Sequence, residues 1–507
     1  MRPLREQIKQ KPILGWIIFL GTVILVFLLG LLASSIVERR TEAVFAYKPQ
    51  AKHSQFEPRN KVWGENFPKE YQSYLKTADT SLRTKYQGSA TIDMLEEDLR
   101  LVVLWAGYGF SRDYKQSRGH YYSVQDIRET LRTGGPVNDR RSPQPNTCWA
   151  CKSPDVPRLM NVTGIAGFYR GTWETKGPEI VNPIGCADCH DVRTMNLRIS
   201  RPALIEAMER KGKDLAKSTY QEMRSLVCAQ CHVEYYFNYK TEHGPDVAYL
   251  TFPWDNGVTA EEIESYYDAI DFSDWTHSLS RAPMLKAQHP DYELFFTGTH
   301  ASRGISCTDC HMPYISEGGQ KFTSHHVVSP LQNVSTSCQV CHREETDRLV
   351  RDVYERQDRI IQSRNTLEEL LVRAHVEAKK AWEYGATELQ MKTILLDIRH
   401  AQWRWDYVAA SHGASFHSPV ESGRILASGI AIAQEARVKL ARLLAELGHN
   451  EEVPYPEIYS KARAQEYIGL DMLKLTLEKK EFLEKVLPLW LNQAAEREGQ
   501  YPVETLN

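Results

Sequence analysis

Ten cysteines arranged in five pairs of identical spacing constrain this chain more than any other feature. The pairs are Cys148/Cys151, Cys186/Cys189, Cys228/Cys231, Cys307/Cys310 and Cys338/Cys341, and they use all 10 cysteines. None is left for a long-range disulfide. Four pairs are followed at once by an imidazole: His190, His232, His311 and His342. The first, in "NTCWACKSP", is followed by Lys152 instead. Cys-x-x-Cys-His is the c-type haem attachment pattern, in which both thiols add to the haem vinyl groups and the histidine ligates iron from one face. Zinc sites also use Cys-x-x-Cys, but they combine the pairs in twos, and five is odd. A thioredoxin-type dithiol is expected once, near a βαβ pattern. With 17 histidines among 507 residues, chance does not put one after four of five pairs.

The chain is long enough for one large domain or two to three ordinary ones. Its 42% apolar and 25% charged content is that of a globular protein, and its formal net charge is only −3. No bulk basic field argues for nucleic acid, and no recognition motif for it is present.

Residues 13–36, "ILGWIIFLGTVILVFLLGLLASSI", carry no charge and follow Arg2, Arg5, Lys9 and Lys11. About 20 apolar residues suffice to span a bilayer, and a signal-peptide core is usually ~7–15. The segment therefore reads as a retained membrane anchor, with a cleaved signal as the alternative. Arg39 and Arg40 beyond it leave the positive-inside rule only weakly in favour of a cytoplasmic N-terminus. Both readings export the remainder, which suits haem attachment outside the cytoplasmic membrane.

Three regions follow: 1–40 as anchor or signal, 41–345 as a pentahaem catalytic region, and 346–507 as a long-helix region. The middle region is rich in Pro, Gly and Tyr, with few period-2 strands and no repeat beyond the haem motifs. The last region spaces apolar residues at threes and fours. It predicts a helix over 346–385, a second ending at Gly413, a third opened by a capping box at Ser418-Pro419-Val420-Glu421 and stopping near Gly448, and a fourth over about 456–486. Such lengths suggest a bundle with a surface for self-association; a purely intrachain bundle is the alternative. The expected class is mainly α, a multihaem cytochrome c fold with an irregular haem-wrapping N-terminal part, long C-terminal helices and few or no strands.

A haem with histidine on both faces is six-coordinate and suited to electron transfer. Candidates for the second histidine are His120, His289, His300, His325, His326, His412 and His417. A lysine binds iron only as the neutral amine, so Lys152 must lose its proton to serve. The haem whose ligand differs from all others is the best candidate for catalysis; otherwise Lys152 is a surface residue and that iron is ligated from elsewhere.

The order of one Cys-x-x-Cys-Lys motif and four Cys-x-x-Cys-His motifs resembles the ammonia-forming cytochrome c nitrite reductases. So do the flanking segments "RGHYYSVQDIRETLRTGGP", "CHVEYYF", "KAQHPDYELF", "GTHASRGISCTDCHMPY" and "SFHSP". The likeness runs from about residue 60 into the C-terminal helices. It implies Lys152 as proximal ligand of a catalytic haem c held by Cys148 and Cys151, with Arg132, Tyr235 and His289 on the distal side. It implies calcium held by the Glu234 carboxylate, the Tyr235 and Lys286 carbonyls and the Gln288 side-chain oxygen. It also implies four bis-histidine relay haems, with His326 opposite His190, His120 opposite His232, His417 opposite His311, and His300 opposite His342. The long helices would pair two subunits.

The resemblance implies an oxidoreductase that reduces nitrite to ammonium with six electrons in dissimilatory or respiratory ammonification. It would be periplasmic or on the outer face of the cytoplasmic membrane, fed by a membrane quinol-oxidising multihaem cytochrome. Two alternatives stand beside it: a multihaem electron carrier without a substrate site, and a related enzyme acting on hydroxylamine or sulfite.

Overall fold

The computed structural model describes residues 8–44, 51–52, 54–501 and 504–505. Arg2 and Arg5 lie outside them. Near the N-terminus, helix α1 (Pro12–Val44) contains an apolar stretch, Pro12–Glu38, with mean hydropathy 2.8 and none of it buried. That length and composition suffice to cross a membrane.

Most of the rest is helical, as expected. Strands among the described residues are confined to four two-stranded antiparallel pairs. One of them, Tyr314–Glu317 with Gln320–Thr323, is a hairpin closed by Gly318 and Gly319. Both glycines have positive φ, 58° and 79°, as the tight primed hairpin turns require.

The C-terminal region starts with α2 (Thr346–Glu383), α3 (Glu388–Ala410) and α4 (Pro419–Glu446), which pack on one another. Gly429 lets α4 come close: a Cβ there would meet the Leu367 side chain at 2.6 Å. Trp405, fully buried between helices, donates to Glu368 at 2.8 Å. The expected α3 ends three residues before Gly413. The capping box predicted at Ser418 does not form, because the Ser418 hydroxyl accepts from Thr297 at 2.8 Å instead.

The single helix expected over about 456–486 is instead two, a short Lys461–Tyr467 and α5 (Met472–Lys485), and a further helix, α6 (Leu487–Gly499), follows beyond it. Gly469, at φ 81°, turns the chain, and the Asp471 side chain caps α5. Here α5 lies against Leu131–Thr133 and α6 against Trp173–Glu179. This part of the helical region therefore packs back onto the Cys-rich half of its own chain.

Candidate functional site

The cysteine motifs lie on single helical turns or at helix ends, which puts residues three apart on one face. Cys186–Cys189 and Cys307–His311 are each one short turn, capped by the motif's own aspartate. Asp188 accepts from the Gly185 N–H at 2.8 Å, and Asp309 accepts from the Ser306 N–H at 2.7 Å. Cys228 lies in the last turn of Tyr220–Ala229, and Cys338 follows Val334–Ser337. Cys148 sits in a 3-10 turn, Asn146–Trp149, whose Trp149 is fully buried.

All ten cysteines are free of disulfides and line one branched cavity of about 2020 Å³. A drug-sized pocket is typically ~300–1,000 Å³, so this space suits several large flat groups. Imidazoles face each other across it in four pairs. Ring centroids are 6.3 Å apart for His120 and His232, for His300 and His342, and for His311 and His417; the fourth pair, His190 and His325, stands at 6.1 Å. Two metal–nitrogen bonds of about 2 Å each, plus the two ring radii, account for that separation.

Ring orientation agrees with it. Nδ1 is 2.9 Å from the Met195 carbonyl in His190, 3.1 Å from Val328 in His311 and 2.9 Å from Thr323 in His325. A second-shell acceptor at one nitrogen leaves the other, Nε2, for the metal. The thiol pairs, the spacing and these carbonyls all fit haem c.

His326 is a correction. The partner of His190 is His325, while His326 faces Lys76 and Asp79 and does not line the cavity. Beyond the hairpin strand, which ends at Thr323, the Thr323, His325, Val327 and Val328 side chains line the cavity and His326 does not.

Around Cys148, the cavity is lined by Lys152, Arg132, Tyr235 and His289. The Arg132 guanidinium lies 4.2 Å over the Phe110 ring, and its Nε reaches the Thr130 hydroxyl at 3.3 Å. Burial pushes the Tyr235 phenol well above 10, so it keeps its proton. Burial, reinforced by His412, Lys152 and His232, holds His289 well below 6.5, so its imidazole is neutral. Its ring centroid is 6.3 Å from that of His412. The Lys152 carbonyl accepts from the Ser123 hydroxyl at 2.8 Å.

Glu234 is fully buried beside this wall. Its carboxylate accepts from the Tyr267 hydroxyl at 2.8 Å and from the Gln288 N–H at 2.6 Å. The Gln288 side chain donates to the Lys286 carbonyl at 3.2 Å, while the Lys286 ammonium is engaged by Asp406 at 2.8 Å. Burial, with Asp274 and Glu293 nearby, pushes the Glu234 carboxyl well above its usual range. An ion taken out of water costs several kcal/mol, and a hard dication on these oxygens would offset that cost. The residues fit calcium.

Sequence reasoning missed three neighbours. Tyr108 and Asp274 line the same wall, and burial pushes Asp274 up to about 7. Asp291, two residues after His289, accepts from the Ser411 hydroxyl at 2.8 Å and lies 3.6 Å from His417 Nδ1. The carboxylate-to-imidazole relation that marks such residues crosses 126 positions of sequence, and only the fold displays it.

A family model described as cytochrome c552 matches residues 59–499. Cytochrome c-552 of Parabacteroides distasonis is 53% identical over 489 residues, covering 96% of this chain and 98% of the relative. That of Porphyromonas gingivalis is 54% identical, covering 96% and 97%. Among solved structures, the cytochrome c nitrite reductase of Desulfovibrio desulfuricans, described with two calcium sites in its catalytic subunit, superposes with a TM-score of 0.72. It is 31% identical and covers 83% of this chain and 90% of that one. With its haem motifs in order and the match running through nearly the whole described body, the chain belongs to the cytochrome c552 family.

Proposed function

We propose that this chain is an ammonia-forming nitrite reductase carrying five haems c, with Lys152 the proximal ligand of the catalytic one. The observation that carries the reading is that Arg132, Tyr235 and His289 share the cavity with the one lysine motif and lie within electrostatic reach of it, Arg132 and Tyr235 of Cys148 and His289 of Lys152. When bound there, haem supplies an iron able to take nitrite nitrogen and electrons. Nitrite, six electrons and eight protons become ammonium and two waters.

The protein's own groups account for the rest. Arg132 is permanently cationic and holds the anion and the charge that develops on oxygen. The neutral His289 donates a hydrogen bond to a nitrite oxygen and passes protons on as the N–O bonds break. Tyr235, protonated at any working pH, donates a second. Calcium on Glu234, Gln288 and the Lys286 and Tyr235 carbonyls fixes Tyr235 and His289 in register, because its ligands alternate with them in sequence. The four facing imidazole pairs suit six-coordinate relay haems.

The chain acts outside the cytoplasmic membrane, held by α1 if that helix is retained, and receives electrons from a membrane quinol-oxidising multihaem cytochrome. It pairs as a homodimer through the α3 and α4 faces, where Leu389, Leu396 and Val438 are exposed.

Purified, haem-loaded protein with excess artificial reductant tests this. One ammonium per nitrite, with six electrons consumed and no free hydroxylamine or nitric oxide, establishes the reading. No nitrite consumption by fully loaded protein overturns it in favour of an electron carrier.

A further inference from the structure

Lys479, on α5, is 4% exposed, yet it carries an amine. Its Nζ donates to the Arg128 carbonyl at 3.1 Å and to the Thr133 hydroxyl at 2.9 Å. Those two acceptors bracket Arg132. The same segment is tied from its other side: Asp113 accepts from the Leu131 N–H at 3.0 Å, and the Ser142 hydroxyl donates to the Thr133 carbonyl at 2.8 Å. Gly135 lies directly on α5, since a Cβ there would stand 2.0 Å from the Glu478 carbonyl oxygen. No side chain fits between helix and loop.

The amine also lies 5.7 Å over the Trp173 ring and 5.1 Å over Phe482. Trp173 stacks on Trp149 at 4.8 Å and 11°, and the Trp149 indole N–H donates to the Trp173 carbonyl at 2.8 Å. Trp149 is the second residue of the Cys148–Lys152 motif. One buried amine therefore bonds the segment carrying Arg132 and lies over the aromatic stack behind the lysine motif.

Taking an amine out of water is costly, and a hydrophobic residue of similar length would serve packing alone. What the amine adds is direction: two donors aimed at two acceptors on either side of Arg132. A group with that geometry fixes where a neighbouring side chain stands.

We propose that Lys479 is a positioning residue for Arg132, holding the anion-binding guanidinium in place from a helix some 340 residues distant in sequence. The inference rests on the role given above to Arg132. Lys479→Met keeps the aliphatic stem and removes the donors; Lys479→Gln, which keeps one donor, carries the same test with a milder change if the first variant does not load haem. Two readouts apply to fully haem-loaded protein. Amide hydrogen exchange, read by mass spectrometry, should quicken over residues 128–135 and not over the other motif loops. The kcat/KM for nitrite should fall at least about tenfold, with part of the loss read as a higher KM, as expected when a group that holds both the anion and its developing charge is displaced.

A lower melting temperature with unchanged kcat/KM makes Lys479 merely structural and overturns the proposal. Unchanged exchange over 128–135 overturns it as well. If the wild-type protein consumes no nitrite, the nitrite reading fails, while the exchange result still decides whether Lys479 holds the Arg132 segment.

Discussion

His190 and His325 face each other with ring centroids 6.1 Å apart and planes at 42°, while the adjacent His326 turns away towards Lys76 and Asp79. His325→Ala should convert one low-spin six-coordinate haem to a high-spin form. His326→Ala should leave every haem spectrum as it was. Electronic absorption and electron paramagnetic resonance of the two variants decide it, and the opposite result would restore His326.

Lys152→His should leave all five haems attached, since attachment depends on Cys148 and Cys151. Nitrite turnover should fall by at least about tenfold, because an imidazole changes the iron's electronics and ligand affinity. Full activity in the purified variant would remove the special role of the lysine.

Glu234→Gln removes the one carboxylate of the proposed calcium set while keeping its shape. Metal analysis should find that calcium lost, and nitrite turnover should fall about 10–100-fold as Tyr235 and His289 lose their register. Undiminished calcium content in the variant would sink the assignment.

Outside the cavity lining, His277 and His375 stack at 3.6 Å, both fully buried. His375 bonds Ser280 and Gln402 at 2.8 and 2.7 Å, and Gln402 donates to the Leu104 carbonyl at 2.7 Å. Burial pulls His375 down to about 4 and His277 well below 6.5. Between pH 6.5 and 4 the unfolded chain therefore binds more protons than the folded one. The pair's contribution is complete above pH 6.5 and is lost as the pH falls from there towards 4. Thermal melting between pH 7 and 4.5 should show that slope, and His375→Gln should reduce it. An identical slope in the variant would remove the pair as its source.

Much of the site was legible because covalent haem attachment is a local property. Two thiols and a ligand must lie on one turn of chain, so five motifs and the odd Lys152 stand in plain sight. A membrane-length apolar run and the long periodic helices are local in the same sense. The residues that the fold sets across from His232, His311 and His342 were named through likeness to a family, since nothing in "SRGHYYSV" by itself points to His232.

Non-local choices were decided by the fold alone. Between His325 and His326 the fold decides, setting the His325 ring across from His190 with its Nδ1 2.9 Å from the Thr323 carbonyl. The capping box at Ser418 had the right letters, but Thr297, 121 positions away, took the hydroxyl. The stretch over about 456–486 read as one amphipathic run. Only the packing shows α5 and α6 laid on the Cys-rich half, with Lys479 bonded to Arg128 and Thr133. Amphipathic periodicity tells a helix to bury a face and does not say against what. By itself, then, the sequence determined the haem-attachment motifs, the helical class and the one motif that ends in lysine. Tertiary structure decided which imidazoles meet, which carboxylates are buried together and which helix packs on the Arg132 segment, because those depend on segments that only long-range packing brings together.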